Sequence, residues 1–441
     1  MAGMFGSDAG GPTGAAANKA FKQNLNKVYK WYTGGFLVFV VALAILEQMG
    51  LPRSWIGFIF LLATIGLYAG IGIMSRTTDA AEYYVAGRRV PAVYNGMATG
   101  ADWMSAASFI GMAGTLYLTG YSGLAFIMGW TGGYCLVALF LAPYLRKFGQ
   151  FTIPDFLGER YGGNLPRFIG IFAAILCSFV YVVAQIYGVG LITSRLTGVA
   201  FELGVFLGLG GILVCSFLGG MRAVTWTQVA QYIILIIAYM IPVVWLSVKQ
   251  TSVPVPQAIY GFQLEKVTAK EKLLAADPKE LEVRGIFKAR SDALAEKLKD
   301  PAAALVADKA AAEARLAQLR AANAPSSEIS AAEKAIADLP KDEAAAKAAW
   351  TRAKAGADAK ARPLNGMPPH AQQFAGDPNG DAKAVEAYDT SRRNFLALIF
   401  CLMIGTAALP HILMRYYTVP SVKEARQSVT WSLFFIFLLY F

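Results

Sequence analysis

The sequence has two histidines and four cysteines in 441 residues, so the side chains that most often bind metals or form disulfides are scarce. The spacing of the cysteines matches no metal-binding motif, and we interpret them as small apolar residues within helices. They are Cys135, Cys177, Cys215 and Cys401. No nucleophile–base pair and no glycine-rich phosphate loop stands out, so the sequence does not favour an enzyme.

Charged residues are also scarce, at 16%, whereas hydrophobic residues make up 56% of the chain. Repeated apolar runs of about 20 residues predict an all-α membrane protein with several spanning helices. The nine runs lie at about 31–49, 54–75, 91–118, 122–145, 167–194, 199–218, 226–248, 393–414 and 427–441. The last run reaches Phe441 without a polar flank, which predicts a chain truncated inside a helix.

The net charge of +11 is distributed unevenly. Residues 251–392 contain 21 basic and 20 acidic residues, so nearly all of the positive excess flanks the apolar runs. With a cytoplasmic N-terminus, 15 of the other 19 basic residues, Arg415 among them, fall on the cytoplasmic side. The positive-inside rule therefore predicts that orientation and places 251–392 in the periplasm of a bacterium. The charge is not a sign of nucleic-acid binding.

Residues 251–392 differ in composition from the rest of the chain. They are rich in alanine, leucine, arginine and glutamate, which are strong helix formers. We predict a soluble insertion of two or three helices, able to form a hairpin, with a flexible return near 361–382. A solvated spacer is the favoured interpretation, and a docking module for a partner is the alternative. The predicted domains are a cytoplasmic segment 1–30, a transmembrane region 31–250, this insertion 251–392, and a second transmembrane region 393–441.

The segment GADWMSAASFIG, residues 100–111, contains Asp102, the one acid well inside an apolar run. An acid at membrane depth usually marks a functional site, although pairing with a neighbouring helix is the alternative. The small residues around it allow close helix packing, and they also allow a helix to unwind around a hard cation. Other polar candidates inside apolar runs are Tyr181, Gln185 and Thr406, which more often form interhelical hydrogen bonds than bind a ligand.

Five motifs occur in order along the chain: DAAEYYVAGRRVP, GADWMSAASFIG, FTIPDFLGERYGG, GGMRAVTWTQVAQ and GTAALPHILMRYYTVPSVKEARQSV. Together they resemble the sodium:solute symporter family, most closely its acetate-permease branch, over residues 54–250 and 393–441. The resemblance implies the LeuT-type fold of two inverted five-helix repeats. Residues 91–118 would form the first core helix, and 393–441 would begin the second repeat.

The resemblance also implies sodium-coupled import of a small monocarboxylate such as acetate across the bacterial inner membrane, with Na⁺ as coupling ion and no cofactor. One sodium is expected, because Gln228 stands where some members carry a supporting acid. The carbonyls of Ala101 and Met104 match the sodium ligands. The predicted substrate contacts are Asp102, Ser105, Ser108, Phe109, Gly405 and Thr406. Gln185, one of the polar candidates above, is added to them. Asp102 is expected to add negative field near the cation. It would repel a carboxylate unless sodium screens the two charges or Asp102 faces away from the substrate.

Several alternatives stay open at this point. Proton coupling through Asp102 is the first, and a transporter-like sensor module of a histidine kinase is the second. A small membrane subunit or a periplasmic protein docking on 251–392 is the partner considered besides the solute, Na⁺ and the lipid bilayer. Because the family's eighth core helix would lie beyond Phe441, the chain is expected to lack part of the sodium site and not to transport by itself.

Overall fold

The computed structural model describes residues 15–322 and 324–440. Within these ranges the regular secondary structure is helical, which confirms the predicted all-α fold class. The α-helices are α1 Ala15–Gln48, α2 Arg53–Met74, α3 Ala80–Val85, α4 Ala92–Trp103, α5 Met112–Thr119, α6 Leu124–Leu136, α7 Ala142–Phe148, α8 Ile153–Tyr161, α9 Asn164–Thr197, α10 Phe201–Thr251, α11 Tyr260–Ala275, α12 Pro278–Lys297, α13 Pro301–Ala321, α14 Ser326–Ala337, α15 Glu343–Lys360, α16 Ala382–Ala407, α17 Pro410–Leu413 and α18 Val422–Tyr440.

The chain divides into two compact units. The first contains the residues up to Leu118, Ser122–Tyr260 and those from Gly376 onwards, and the second contains Thr119–Tyr121 and Gly261–Ala375. The apolar helices belong to the first unit. The second unit corresponds to most of the predicted insertion, whose periplasmic location and role stay predictions.

Five helical segments among the described residues are long and apolar enough to cross a membrane, or six if one bent pair is counted as a single span. Large apolar side chains of α9, such as Phe168, Phe172 and Phe179, are exposed, as expected for a surface that faces lipid. Nine runs were predicted. The number is lower partly because the runs 91–118 and 122–145 meet in one segment, Ala107–Phe148, and because the described part of the run 199–218 forms only a shorter apolar helix, Phe201–Gly210.

The helix α10 bends at Gly220, inside the GGMRAVTWTQVAQ motif. Gly220 has φ 51° and ψ −143°, a conformation that an L-residue with a side chain rarely adopts. A Cβ atom there would lie 2.5 Å from the carbonyl oxygen of Tyr83. The glycine therefore permits both the bend and the close approach of the segment that contains α3.

A buried polar network joins α4 to α18 and to the turn before it. The side-chain amide of Asn95 donates to Oγ of Ser428 at 2.7 Å, and the hydroxyl of Thr418 donates to Oδ1 of Asn95 at 2.9 Å. Glu424 accepts from the backbone N–H of Ala92 at 2.9 Å, at the start of α4. Such hydrogen bonds stabilise helix pairs in an apolar environment, where hydrophobic burial does not distinguish helix from lipid.

The insertion contains five helices, α11 to α15, so the prediction of two or three was wrong. The reason lies in the Asp–Pro pairs. Asp277 and Asp300 each accept a hydrogen bond from a backbone N–H of the next helix, and the following proline occupies the first turn. Proline at that position starts a helix rather than interrupting one. Leu305, Ala346 and Trp350 form the small core of this unit.

Candidate functional site

The predicted first core helix, residues 91–118, is broken inside the segment GADWMSAASFIG. The helix α4 ends at Trp103, Met104 adopts φ −79° and ψ 51°, and the helical path resumes after Ser105 with a π-helical turn over Ala107–Gly111 that leads into α5. The unwinding expected from the small residues is therefore present at Met104–Ser105.

Side chains satisfy the backbone groups that the break releases. The N–H of Ser105 donates to Oγ of Ser108 at 3.1 Å, and the N–H of Ala106 donates to Oε1 of Gln185 on α9 at 3.0 Å. The hydroxyl of Ser108 in turn donates to the carbonyl oxygen of Trp103. Irregular backbone is tolerated at membrane depth only with such partners. In this structure Ser105, Ser108 and Gln185 hold the break in place.

The helix α9 passes very close to the break at Gly188. A Cβ atom on Gly188 would lie 2.4 Å from Cβ of Ala106, a distance that real side chains do not reach. Glycine on α9 and alanine in the break thus allow Gln185, one turn earlier, to reach the N–H of Ala106.

A second break lies inside the apolar run predicted at 393–414. The helix α16 ends at Ala407, and the chain resumes at Pro410 in a direction that differs by 51°. The short helix α17 and a 3₁₀ turn over Met414–Tyr417 follow. The bend turns Arg415 back into the protein, where it is 2% exposed. Arg415 is therefore buried rather than an exposed flanking charge, and the predicted orientation stays a prediction.

Arg415 forms a buried ion pair with Asp102. Its Nε donates to Oδ2 of Asp102 at 2.7 Å and its Nη2 donates to Oδ1 at 3.0 Å, while Nη1 donates to Oγ1 of Thr225 at 3.0 Å. The side-chain amide of Gln228 also donates to Oδ1 of Asp102, at 2.5 Å. Arg415 and Gln228 thus join the breaks in α4 and after α16 to the middle of α10. Asp102 is thus paired with neighbouring elements, which was the alternative interpretation of an acid at this depth, and its role near a cation stays a prediction.

A cavity of about 200 Å³ lies between the two breaks. Of the predicted substrate contacts, Asp102, Ser105, Ser108 and Thr406 line it, whereas Phe109, Gln185 and Gly405 do not. The lining residues are Asp102, Trp103, Ser105, Ala107, Ser108, Trp130, Tyr181, Thr406, Leu409, His411, Ile412 and Tyr440. The predicted substrate and sodium roles of these residues stay predictions.

The predicted residues outside the cavity have other contacts. The ring of Phe109 packs on that of Tyr239, with centroids 5.3 Å apart. The carbonyl of Ala101, one of the two proposed sodium ligands, accepts from the N–H of Met104 at 3.1 Å. Met104 packs against the apolar cluster that contains Trp103 and Tyr134.

Sequence reasoning missed His411 and the partnership of Arg415. The ring of His411 stacks on Tyr181 in the cavity wall, with centroids 4.6 Å apart and planes inclined by 33°. Both His411 and Arg415 lie in the motif GTAALPHILMRYYTVPSVKEARQSV, of which only Gly405 and Thr406 were predicted as site residues. That motif was the available signal.

Residues 83–270 match the model of the sodium:solute symporter family. Over these residues the chain is similar to the sodium:solute symporter family. It is 50% identical, over 431 residues, to an uncharacterised symporter of Cupriavidus necator, covering 96% of this chain and 62% of that protein. It is 26% identical to a monocarboxylic acid transporter of Corynebacterium glutamicum, covering 89% of this chain and 54% of that protein.

A solved structure of a Na⁺-coupled sialic acid symporter in a substrate-bound, outward-open state has a TM-score of 0.40 to this chain at 15% identity, covering 87% of this chain and 72% of that one. An uncharacterised symporter of Bacillus subtilis is 32% identical over 182 residues, which are 40% of this chain and 35% of that protein. The chain thus spans between about a third and two thirds of the lengths of these sequence relatives. The similarity to symporters and the long apolar helices are those of a membrane protein of this kind.

Proposed function

We propose that the protein is a secondary active transporter that couples the inward sodium gradient to the import of a small monocarboxylate such as acetate. It would work by alternating access within a LeuT-type inverted-repeat fold. The observation that carries the proposal is the pair of breaks, after Trp103 and after Ala407, which meet at one small cavity. Broken helices at membrane depth expose carbonyls and helix ends that bind ions and solutes.

The size of the cavity favours a small solute. Sites for drug-sized ligands occupy about 300–1,000 Å³, and this cavity holds about 200 Å³. Its wall combines hydroxyls with the aromatic rings of Trp103, Trp130 and Tyr440, which suits a molecule with one polar and one apolar end. The monocarboxylate is also supported, at 26% identity, by the likeness to the transporter of Corynebacterium glutamicum.

The ion pair favours sodium over the proton as coupling ion. Three N–H donors point at the carboxylate of Asp102, and an ionised carboxylate is an acceptor with no proton of its own. A proton carrier would have to break these bonds in each cycle. We propose backbone carbonyls at the break, including those of Ala101 and Met104, as sodium ligands, with a cytoplasmic N-terminus and residues 251–392 in the periplasm of a bacterium.

Uptake of labelled acetate into proteoliposomes containing the protein in its full encoded length tests this proposal. We expect uptake with an inward sodium gradient and none with potassium in its place. Equal uptake driven by a proton gradient alone would replace Na⁺ with H⁺. If neither gradient drives the uptake of acetate, propionate, pyruvate or lactate, the proposed function is wrong.

A further inference from the structure

The cavity wall contains hydrogen-bond donors that the rest of the protein does not use. Within residues 15–322 and 324–440 no hydrogen bond of the His411 ring nitrogens to another residue is found, although the imidazole stacks on Tyr181 in the cavity wall. The indole nitrogen of Trp103 is buried and has no hydrogen-bond partner among the same residues. An unpaired buried donor is unfavourable, and in native proteins it usually has a ligand or water as its partner.

The guanidinium of Arg415, the cation paired with Asp102, is not available to a solute. Arg415 directs its Nε and Nη2 to Asp102 and its Nη1 to Thr225, and it does not line the cavity. The ion pair also neutralises Asp102, which removes most of the repulsion that this carboxylate would exert on an anion. The hydroxyl of Ser108 is likewise engaged, with the carbonyl of Trp103.

We propose that His411 and the indole N–H of Trp103 bind the carboxylate of the transported solute and determine its specificity. The inference rests on the proposed function, because it names the residues that recognise the solute's charged end. The indole N–H can only donate, and a neutral imidazole offers one N–H donor. Trp103 and His411 both line the small cavity, and two donors match the acceptor-only oxygens of a carboxylate, whose alkyl end would lie against Leu409 and Ile412.

One substitution tests each donor while retaining an aromatic ring at the position. His411→Phe and Trp103→Phe remove the N–H groups, and Trp55→Phe is the matched control on an exposed tryptophan of α2. We expect the KM for acetate to rise about ten- to a hundredfold in each cavity variant, the range of a hydrogen bond to a charged group. The sodium concentration for half-maximal uptake and the KM of the Trp55→Phe variant should not change.

Rescue and competition distinguish recognition from a structural role. His411→Gln retains an N–H donor, because the glutamine side chain ends in an amide. Its KM for acetate should therefore lie within a few-fold of the wild-type value. Acetamide, the uncharged analogue of acetate, should compete better against uptake in the His411→Phe variant than in the wild type. If His411→Phe does not fold, Trp103→Phe tests the inference on the other donor.

The outcomes separate the two proposals. Wild-type protein without sodium-driven uptake of any carboxylate would overturn the proposed function and this inference with it. Sodium-driven uptake with an unchanged KM in both His411→Phe and Trp103→Phe would overturn the inference alone. An equal loss of maximal rate with no change in KM or in acetamide competition would likewise contradict recognition of the carboxylate.

Discussion

Asp102 and Arg415, 313 residues apart in sequence, form a two-point ion pair with N–O distances of 2.7 and 3.0 Å. Each residue lies beside a break in a membrane helix, and their side chains are 8% and 3% exposed. The pair therefore ties the two breaks together at the edge of the cavity. A movement of one broken helix relative to the other must either carry both residues or separate the charges.

Removing one partner of this pair should destabilise the protein strongly. An isolated buried charge typically costs about 3–5 kcal/mol of folding free energy when its partner is lost. We expect Asp102→Asn and Arg415→Gln each to lower the temperature of thermal unfolding in detergent and to reduce uptake. The double variant should recover part of both losses, because it leaves no unpaired charge.

The exposed pair Lys288–Asp292 in the insertion provides the control. Its side chains are 65% and 60% exposed, and Lys288→Gln should leave the temperature of thermal unfolding nearly unchanged. Additive losses in the Asp102 and Arg415 double variant would mean that the two residues do not stabilise one another.

Gly188 is predicted to be essential for the geometry of the break. Gly188→Ala places a methyl group 2.4 Å from Cβ of Ala106, so either α9 or the break must move. We expect a loss of about 1–3 kcal/mol, as for other overpacked sites, with a lower sodium affinity measured from the sodium dependence of uptake. Gly114→Ala on α5, where nothing lies within 4 Å, should have little effect. Equal behaviour of the two variants would exclude the proposed close contact.

Gln185 is predicted to act on sodium binding through the backbone rather than by contacting the solute. Gln185→Met removes the acceptor for the N–H of Ala106 and leaves that group unpaired, at a cost of about 1–3 kcal/mol. The sodium concentration for half-maximal uptake should rise, whereas competition between acetate and acetamide should not change. Gln185→Glu retains an acceptor and should be milder. A change in solute preference would instead place Gln185 in contact with the solute.

The insertion is predicted to lose stability in acid through Asp358. Hydrogen bonds from Lys354 and Ser291 lower the pKa of this carboxyl. A lowered pKa means that Asp358 stabilises the fold at pH values above its unfolded pKa, about 3.9, and that this contribution disappears as the pH falls through the folded-state pKa. Hydrogen exchange of α15 in the intact protein should therefore speed up in acid relative to α13.

Asp358→Asn tests the origin of that change. The variant should show faster exchange in α15 at neutral pH and a smaller difference between neutral and acidic solution than the wild type. Asp338→Asn, at an exposed position beside α14, serves as the control. An acid response that is the same in Asp358→Asn and the wild type would assign it to other carboxylates.

The sequence alone determined the all-α class, the position of the unwound segment and the membrane character. These properties depend on local composition: small residues in GADWMSAASFIG permit unwinding, and long apolar runs favour lipid over water. The predicted count of helices in the insertion was wrong, because each of the Asp–Pro pairs at 277–278 and 300–301 starts a further helix.

Tertiary structure decided which polar side chains meet. The pairing of Asp102 with Arg415, the reach of Gln185 to Ala106 and the exposure of His411 to the cavity depend on where the chain returns after a bend of 51°. No periodicity in the sequence encodes the partner of a side chain 313 residues away. The ion pair follows from the fold of the whole membrane unit, because in an apolar interior each charge needs the other close by.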